Sequence, residues 1–173
     1  MFKPSQVYSR RVKGEASRRV AFGEMAEMLV CERFGAARLH TGAAVAGDSC
    51  PDVRLPNGRV AEVKSTRDRR IVVYAFRLRK ELAKHGPSYP YFVVHHGQRG
   101  TTDVGRFFAE AEVWCLTLED VLRAVEGRTP RQLVSRGGYH RNGYEEGYFD
   151  LRLSRIVFPF ERRTTLFLTS GAF

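Results

Sequence analysis

The spacing of apolar residues near the start of the chain predicts a long amphipathic helix over residues 17 to 34, stopped by Gly35. When successive residues are placed about 100° apart, four apolar side chains share one stripe: Phe22, Ala26, Leu29 and Val30. Glu27 falls about 100° from the centre of this stripe, whereas Glu24 falls about 160° away. Only Glu27 is therefore placed at the edge of the core, where a carboxylate can reach a cleft. Glu24 is predicted to be a solvated surface charge.

The segment 52–64 predicts a β-hairpin around the turn Pro56-Asn57-Gly58. This order of Pro, Asn and Gly suits a three-residue loop with glycine in the left-handed conformation. A three-residue loop sets Asp52 opposite Glu62, on one face of the hairpin. A two-residue loop would instead set Asp52 opposite Val63. The first register brings two carboxylates together, and the second separates them unless a bulge compensates.

Apolar patterns, with glycines or caps at their ends, predict five further elements. These are a third strand that completes a meander at Ile71 to Phe76, a helix at Leu78 to His85 closed by Gly86, a buried strand at Tyr91 to His96, a strand at Val113 to Leu116, and a helix from the capping box of Thr117 and Asp120 to Gly127. This order predicts an α/β fold with a central mixed β-sheet flanked by helices and a C-terminal β-rich extension. The expected domains are a basic arm at 1–16, a core at 17–127, and an extension at 128–173 that packs on the core or forms a dimer interface.

Composition and charge indicate the class of partner. The 173 residues are 43% hydrophobic, enough for one domain with a core, and the formal net charge of +10 makes a polyanion such as DNA the expected partner. Only five of the 29 basic residues are lysine, and the planar fork of arginine suits bidentate phosphate contacts. Basic residues cluster before the first helix and after the hairpin, which favours a DNA track over an ordinary solvated face.

Cysteine and histidine usage argues against several other kinds of site. The three cysteines lack the spacing of a zinc cluster or a disulfide framework, so a cytoplasmic protein is expected. No apolar run reaches membrane-spanning length, and the N-terminus lacks the apolar core of a signal peptide. The adjacent His95 and His96 at a strand end face opposite ways, so a structural or surface role is expected rather than a shared metal.

The residues that indicate chemistry are Pro51-Asp52 and Glu62-Val63-Lys64. Because side chains alternate along a strand, Glu62 and Lys64 emerge on one face while Val63 points into apolar packing. Two carboxylates can hold a hard divalent cation, and a nearby lysine can orient an attacking water or stabilise charge on a phosphate. An isolated Glu-x-Lys is more often part of an exposed hairpin. Here the preceding Pro-Asp, the apolar flanks and the basic chain favour a metal-dependent phosphodiesterase.

These residues resemble the core of the PD-(D/E)XK nuclease superfamily, and the wider pattern is similar to that of the archaeal-type Holliday junction resolvases. The resemblance extends from Gly14 to Leu118 and is carried by these segments: Arg18-Arg19, Gly23 to Glu27, Gly35, the small-residue loop from Thr41 to Ser49, Pro51-Asp52 and Glu62-Val63-Lys64-Ser65. Resolvases usually carry an arginine directly after the helix glutamate, where this chain has Met28. A further basic position after that helix is held by His40, or by Arg38 under a shifted alignment. The helix after the lysine strand lacks the glutamine that is usual in RecB-like exonucleases.

The resemblance implies a restriction-endonuclease-like core, a Mg²⁺ cofactor for which Mn²⁺ substitutes, and an intracellular homodimer of phage or archaeal type that makes paired nicks in four-way DNA junctions. Asp52 and Glu62 would be metal ligands with the Val63 carbonyl as a third, and Glu27 would be a further ligand, direct or through water. Lys64 would position the water or stabilise charge. The candidate DNA contacts are Arg18, Arg19, His40, Thr41, Ser65, Arg67, Arg69, Arg70, Arg77, Arg79 and Lys80. Two other interpretations stay open: another PD-(D/E)XK endonuclease of the restriction or repair type, and a non-catalytic basic nucleic-acid-binding protein.

Overall fold

The computed structural model describes residues 15–39, 50–97, 103–132 and 146–156, with the side chains of the first helix from Phe22 onwards. Its elements are, in chain order, α1 (Glu15–Phe34), β1 (Ala37–Arg38), β2 (Val53–Arg54), β3 (Val60–Thr66), β4 (Arg70–Tyr74), α2 (Ala75–His85), β5 (Pro90–His95), α3 (Val104–Glu110), β6 (Glu112–Thr117), α4 (Leu118–Val125) and β7 (Tyr148–Arg152). The predicted first helix is confirmed, because α1 ends at Phe34 and Gly35 follows with a φ of 64°. Among the described helices, none combines the length and apolar composition needed to cross a bilayer.

The central sheet is mixed, as predicted. Its strands lie in the order β1-β2-β3-β5-β6, with β3 and β5 parallel and the other neighbours antiparallel. Parallel neighbours need a crossover connection, and β4 with α2 supplies it between β3 and β5. The predicted α/β fold with a mixed sheet flanked by helices is therefore confirmed.

Helices cover both faces of this sheet. On one face, α1 and α3 pack in a cluster with Ala61, Phe92 and Val94. On the other face, α2 and α4 pack in a cluster with Tyr91 and Val93. Because both faces are covered, β5 is a continuous apolar run rather than an alternating one. The buried β5 fixes the position of β3 beside it, and β3 carries the residues of the candidate site.

The hairpin has the predicted three-residue loop. The Leu55 N–H donates to the carbonyl of Arg59 at 2.7 Å, and Gly58 has a φ of 82°, in the left-handed region that favours glycine. The pairing of Arg54 with Val60 and of Val53 with Ala61 keeps this register. Asp52 directly precedes β2, and its N–H also bonds to the carbonyl of Ala61. The turn sequence therefore sets the register that brings Asp52 and Glu62 close together.

The prediction that residues 71–76 complete the meander is wrong. This segment forms β4, which ends at Tyr74 and pairs with β7 in a separate two-stranded sheet, and the third meander strand is β1. The physical reason is competition for the free edge of β3. A strand that is apolar on both faces gains most from a place inside a covered sheet, so β5 takes that edge. The turn before β4 contains Arg69 at a φ of 54°, and the chain leaves the central sheet there.

The helices after β4 also differ in part from the prediction. α2 begins at Ala75 instead of Leu78, and α3 was not predicted, although Asp103 caps it by accepting from the N–H of Arg106 at 3.0 Å. The capping box of α4 is confirmed, since the Thr117 side chain accepts from the Asp120 N–H at 3.3 Å.

The C-terminal extension contributes β7 to the described part of the chain. Phe149 and Leu151 of β7 are buried in the same cluster as α2 and α4. Residues 133–145 and 157–173 of the extension lie outside the described residues, as do the chain before Glu15 and residues 40–49 and 98–102.

Candidate active site

Asp52 directly precedes β2, a strand inside the central sheet, and the β2–β3 hairpin fixes its position. Its N–H donates to the carbonyl of Ala61 at 3.0 Å, and its Oδ2 atom accepts from the N–H of Val63 at 2.7 Å. The carboxylate is therefore held by the backbone of the strand that carries Glu62. The backbone and the side chain of Asp52 are thus each hydrogen-bonded to β3, which restricts the conformation of the carboxylate.

Glu62 and Lys64 emerge from the same face of β3, as the alternation predicts. Lys64 Nζ donates to Glu62 Oε1, and Arg77 Nη1 lies 3.8 Å from the same oxygen. Glu62 is only 2% exposed, whereas the side chains of Lys64 and Arg77 are each 23% exposed. Val63 points to the other face and packs against the α1 cluster. The site thus contains a buried carboxylate with two cations beside it.

The electrostatics of the two acids are strongly linked. Burial and then the charge of Glu62 raise the pKa of Asp52 to about 7, against the opposing effects of Lys64 and the Val63 N–H. Burial lowers the pKa of Lys64, but the neighbouring charges of Glu62 and Asp52 outweigh burial, so that its pKa is raised and the amine stays protonated. The two carboxylates therefore lie close enough to repel each other, although Lys64 partly offsets this repulsion.

Glu27 lies at the edge of the α1 cluster, where the helix phase places it. Its Oε2 atom accepts from Arg38 Nε at 2.8 Å, and both side chains are 20% exposed. Burial raises the pKa of Glu27 and Arg38 opposes this, while the charges of Glu24 and then Glu62 add smaller increases. Glu27 therefore interacts electrostatically with Asp52 and Glu62, but its hydrogen-bond partner is Arg38 of β1.

The donors present fit a hard divalent cation with few protein ligands. Among the described residues, no group of three or more His, Cys, Asp and Glu side chains has the arrangement of a metal site. The side chains of Asp52 and Glu62 offer carboxylate oxygens, which are hard donors. Mg²⁺ is commonly held by one or two carboxylates and keeps several waters. Burial and then the charge of Glu62 raise the pKa of Asp52, and a divalent cation would counter both effects.

The sequence patterns missed a second buried acid near the site. Glu81 of α2 is 2% exposed and accepts a hydrogen bond from the phenol of Tyr91. Burial and then the charge of Glu62 raise the pKa of Glu81, which Tyr91, Lys64 and Arg77 oppose. The i to i+4 spacing from Arg77 to Glu81 was the available signal, since it places both on one helix face.

The predicted DNA contacts fall into three groups. Arg67, Arg69 and Arg70 lie in and after the β3–β4 turn and are exposed, as are Arg79 and Lys80 on α2. Arg77 is brought to Glu62, whereas Ser65 lies on the Val63 face of β3, away from Lys64. Arg18 and Arg19 lie in α1, with side chains outside the described residues, and His40 and Thr41 also lie outside them.

The paired histidines lie outside the candidate site. His95 is half-buried and its Nε2 atom lies 3.0 Å from the carbonyl oxygen of Arg67. His96 points the other way and stacks on Phe22 with ring centroids 4.2 Å apart. Burial, with smaller effects of His95 and Arg67 and an opposing one of Asp68, lowers the pKa of His96 to about 4. This supports a packing role for His96.

No protein-family model matches this chain, and a search of curated proteins finds no match. A solved structure that is similar in part is that of Hjc, a Holliday junction resolvase from the archaeal hyperthermophile Archaeoglobus fulgidus. The two chains are 15% identical, and the match covers 79% of this chain and 90% of that chain with a TM-score of 0.40. A likeness at this level supports no conclusion about activity, so the function must be inferred from the site of this chain.

Proposed function

We propose that this protein is a Mg²⁺-dependent DNA endonuclease of the PD-(D/E)XK type. The observation that carries the proposal is the convergence of Asp52, Glu62 and Lys64 at the end of one hairpin. Asp52 Oδ2 accepts a hydrogen bond from the Val63 N–H at 2.7 Å, and Lys64 donates to the carboxylate of Glu62 on the same face of β3. Two fixed acids with a cation beside them suit hydrolysis of a phosphodiester.

Each residue has a role that follows from its position. Asp52 and Glu62, with the Val63 carbonyl, would hold the metal ion. A divalent cation at such a site polarises a phosphoryl oxygen and lowers the pKa of a bound water. Lys64 stays protonated beside Glu62, so it can donate to an attacking water or to the oxygen on which charge develops. Glu27 would act at the edge of the site, with Arg38 holding its carboxylate in place.

The test is a cleavage assay with four-way junction, linear duplex and single-stranded DNA, in Mg²⁺ and in excess EDTA. Asp52→Asn and Glu62→Gln should each abolish cleavage, because each removes a charged oxygen ligand. DNA binding should persist in both variants, because binding comes mainly from contacts between basic residues and phosphates.

Glu119→Gln is the matched control, since Glu119 is an exposed acid on α4 paired with Arg123. This variant should cleave like the wild type. Full activity in EDTA, or in both site variants, would contradict the nuclease proposal.

We further propose that the substrate is a four-way junction and that the active form is a homodimer. The motif resemblance in the sequence and the net charge of +10 support this. A junction has approximate two-fold symmetry, and an isologous dimer presents two identical sites related by the same operation. Sedimentation should show a dimer, and a cruciform plasmid should be linearised by coupled nicks. A monomer that leaves only open circles would favour a restriction- or repair-type enzyme.

A second candidate is a non-catalytic nucleic-acid-binding protein. The ion pair between Glu27 and Arg38 favours it, because that pair occupies the carboxylate that could complete a metal site. This candidate predicts tight DNA binding without cleavage under any metal condition, which the same assay would detect.

A further inference from the structure

The two-stranded sheet of β4 and β7 has one buried face and one outward face. Alternation along both strands buries four side chains in the cluster of α2 and α4: Ile71, Val73, Phe149 and Leu151. We name the opposite side the outer face, and it consists of Arg70, Val72, Tyr74, Tyr148, Asp150 and Arg152. Val72, in the middle of β4, is 46% exposed, so the outer face offers accessible surface to a ligand.

Among the residues that the structure describes there, four arginines surround one carboxylate. Arg70 Nε donates to Asp150 Oδ1 at 3.0 Å, and Arg131 Nη1 lies 3.7 Å from Asp150 Oδ2. Arg128 Nη2 donates to the backbone carbonyl of Asp150 at 3.3 Å. Arg152 is exposed and lies directly opposite Arg70 in the β4–β7 register. One formal negative charge therefore faces four positive charges, and the excess is positive.

The arrangement of these arginines favours an anionic ligand. Like charges directly opposite each other on neighbouring strands destabilise a sheet, and Arg70 and Arg152 occupy such positions. A phosphate placed across the two strands would replace this repulsion by charge-assisted hydrogen bonds. A second copy of this chain is disfavoured as the occupant, because the approaching protein also has a net charge of +10.

The outer face begins beside the candidate site. Thr66 lies two residues after Lys64 on the same face of β3, and its Oγ1 atom donates to the carbonyl of Arg70 at 2.7 Å. The four residue steps from Arg70 to Tyr74 make the face about 14 Å long. Phosphates of one DNA strand follow each other about every 3.4 Å along the duplex axis, so this length matches about four nucleotides.

We propose that the outer face, with Arg128 and Arg131 at its edge, is a further DNA-binding surface that takes the phosphodiester backbone next to the segment held at the cleavage site. This rests on the proposed function, in which DNA is the substrate. Arg128, Arg131 and Arg152 are exposed and donate to phosphate oxygens, for which the guanidinium fork is suited. Because β7 and the segment before it build this surface, the C-terminal extension takes part in binding the substrate.

The test replaces Arg128, Arg131 and Arg152 together by glutamine. Fluorescence anisotropy measures binding of labelled junction and duplex DNA in EDTA over a series of salt concentrations, so no cleavage is involved. If each arginine contacts one phosphate, the slope of log affinity against log salt should fall by about 2.7 in this variant.

A matched control variant removes the same charge elsewhere. It replaces three other exposed arginines by glutamine: Arg33, Arg106 and Arg123. The control should keep the wild-type slope. An unchanged slope in the first variant, or an equal loss in the control, would overturn the proposal.

Val72 allows a test of sign within the same face. Val72→Glu should weaken DNA binding about fivefold and Val72→Lys should tighten it about fivefold, because each places one charge a few ångströms from a phosphate in water. Melting curves followed by circular dichroism show whether each variant folds. If the triple variant does not fold, the exposed Val72 position decides, and effects of equal sign in the two Val72 variants would overturn the proposal.

The outcomes separate this proposal from the nuclease assignment. If sedimentation shows that the triple variant has a different oligomeric state from the wild type, the outer face is a contact between copies and the proposal fails. If the salt slope is unchanged while the wild type cuts DNA in Mg²⁺, only this proposal fails. If the slope falls as expected but the wild type cuts no DNA, the nuclease assignment fails and the binding surface stands. If the wild type binds no DNA, both proposals are wrong.

Discussion

The β3–β4 turn carries three exposed arginines, and their contribution to DNA binding can be predicted in magnitude. Each is paired with a carboxylate: Arg67 with Asp68 at 3.1 Å, Arg69 with Glu112 at 3.4 Å, and Arg70 with Asp150 through Nε and Oδ1 at 3.0 Å. The pairs of Arg67 and Arg69 are exposed on both sides and contribute little to stability, whereas the Asp150 partner of Arg70 is only 16% exposed. We expect a DNA phosphate to replace the carboxylates of Asp68 and Glu112 readily, while Arg70 keeps exposed surface for a phosphate beside Asp150.

The perturbation is the replacement of all three arginines by glutamine. Each phosphate contact adds about 0.9 to the slope of log affinity against log salt, so the triple variant should lose about 2.7 from this slope. Between about 50 and about 200 mM salt, the affinity of the wild type should therefore fall about 40-fold more than that of the variant.

The assay is fluorescence anisotropy with labelled junction DNA in EDTA, over a series of salt concentrations. The control variant replaces Arg33 and Arg123, which are exposed on α1 and α4, outside this turn. If the turn binds DNA, the control should keep the wild-type slope. A triple variant with an unchanged slope, or a control with an equal change, would refute the reasoning and make the turn an ordinary solvated surface.

Three further predictions concern a helix acid, a buried histidine and a cap. Glu27→Ala should reduce DNA cleavage far more than Glu24→Ala, because only Glu27 borders the site, and equal losses in the junction assay would contradict this. Between about pH 7.5 and about pH 5, the free energy of unfolding of the wild type should fall by about 2 kcal/mol more than that of a His96→Phe variant. The pKa of His96 is about 4 in the folded state against an ordinary 6.5, so only the unfolded state gains the proton in this range. Equal losses of unfolding free energy in the two proteins, measured by urea unfolding at both pH values, would contradict this prediction. Thr117→Ala should lower the free energy of unfolding by about 1 kcal/mol in the same urea experiment, because it removes the α4 N-cap, and no change would mean that the cap is dispensable.

Local signals determined the part of the site that lies on one hairpin. The turn Pro56-Asn57-Gly58 sets the register by backbone geometry within three residues, and this register pairs Val53 with Ala61 and so brings Asp52 close to Glu62. Alternation along β3 then puts Lys64 beside Glu62 and turns Val63 to the other face. The helix phase of α1 likewise identified the edge position of Glu27. These features depend on neighbours along the chain, so the sequence alone was enough.

Tertiary packing decided the features whose partners are distant in sequence. β4 pairs with β7 rather than β3, because β5 is apolar on both faces and occupies the edge of β3 inside the covered sheet. Arg38 reaches Glu27 only because β1 joins β2 at the sheet edge, and Glu81 meets Tyr91 only because α2 packs over β5. A local pattern shows which face of an element is apolar. It does not show which other element covers that face, because that depends on competition for burial among all elements of the chain.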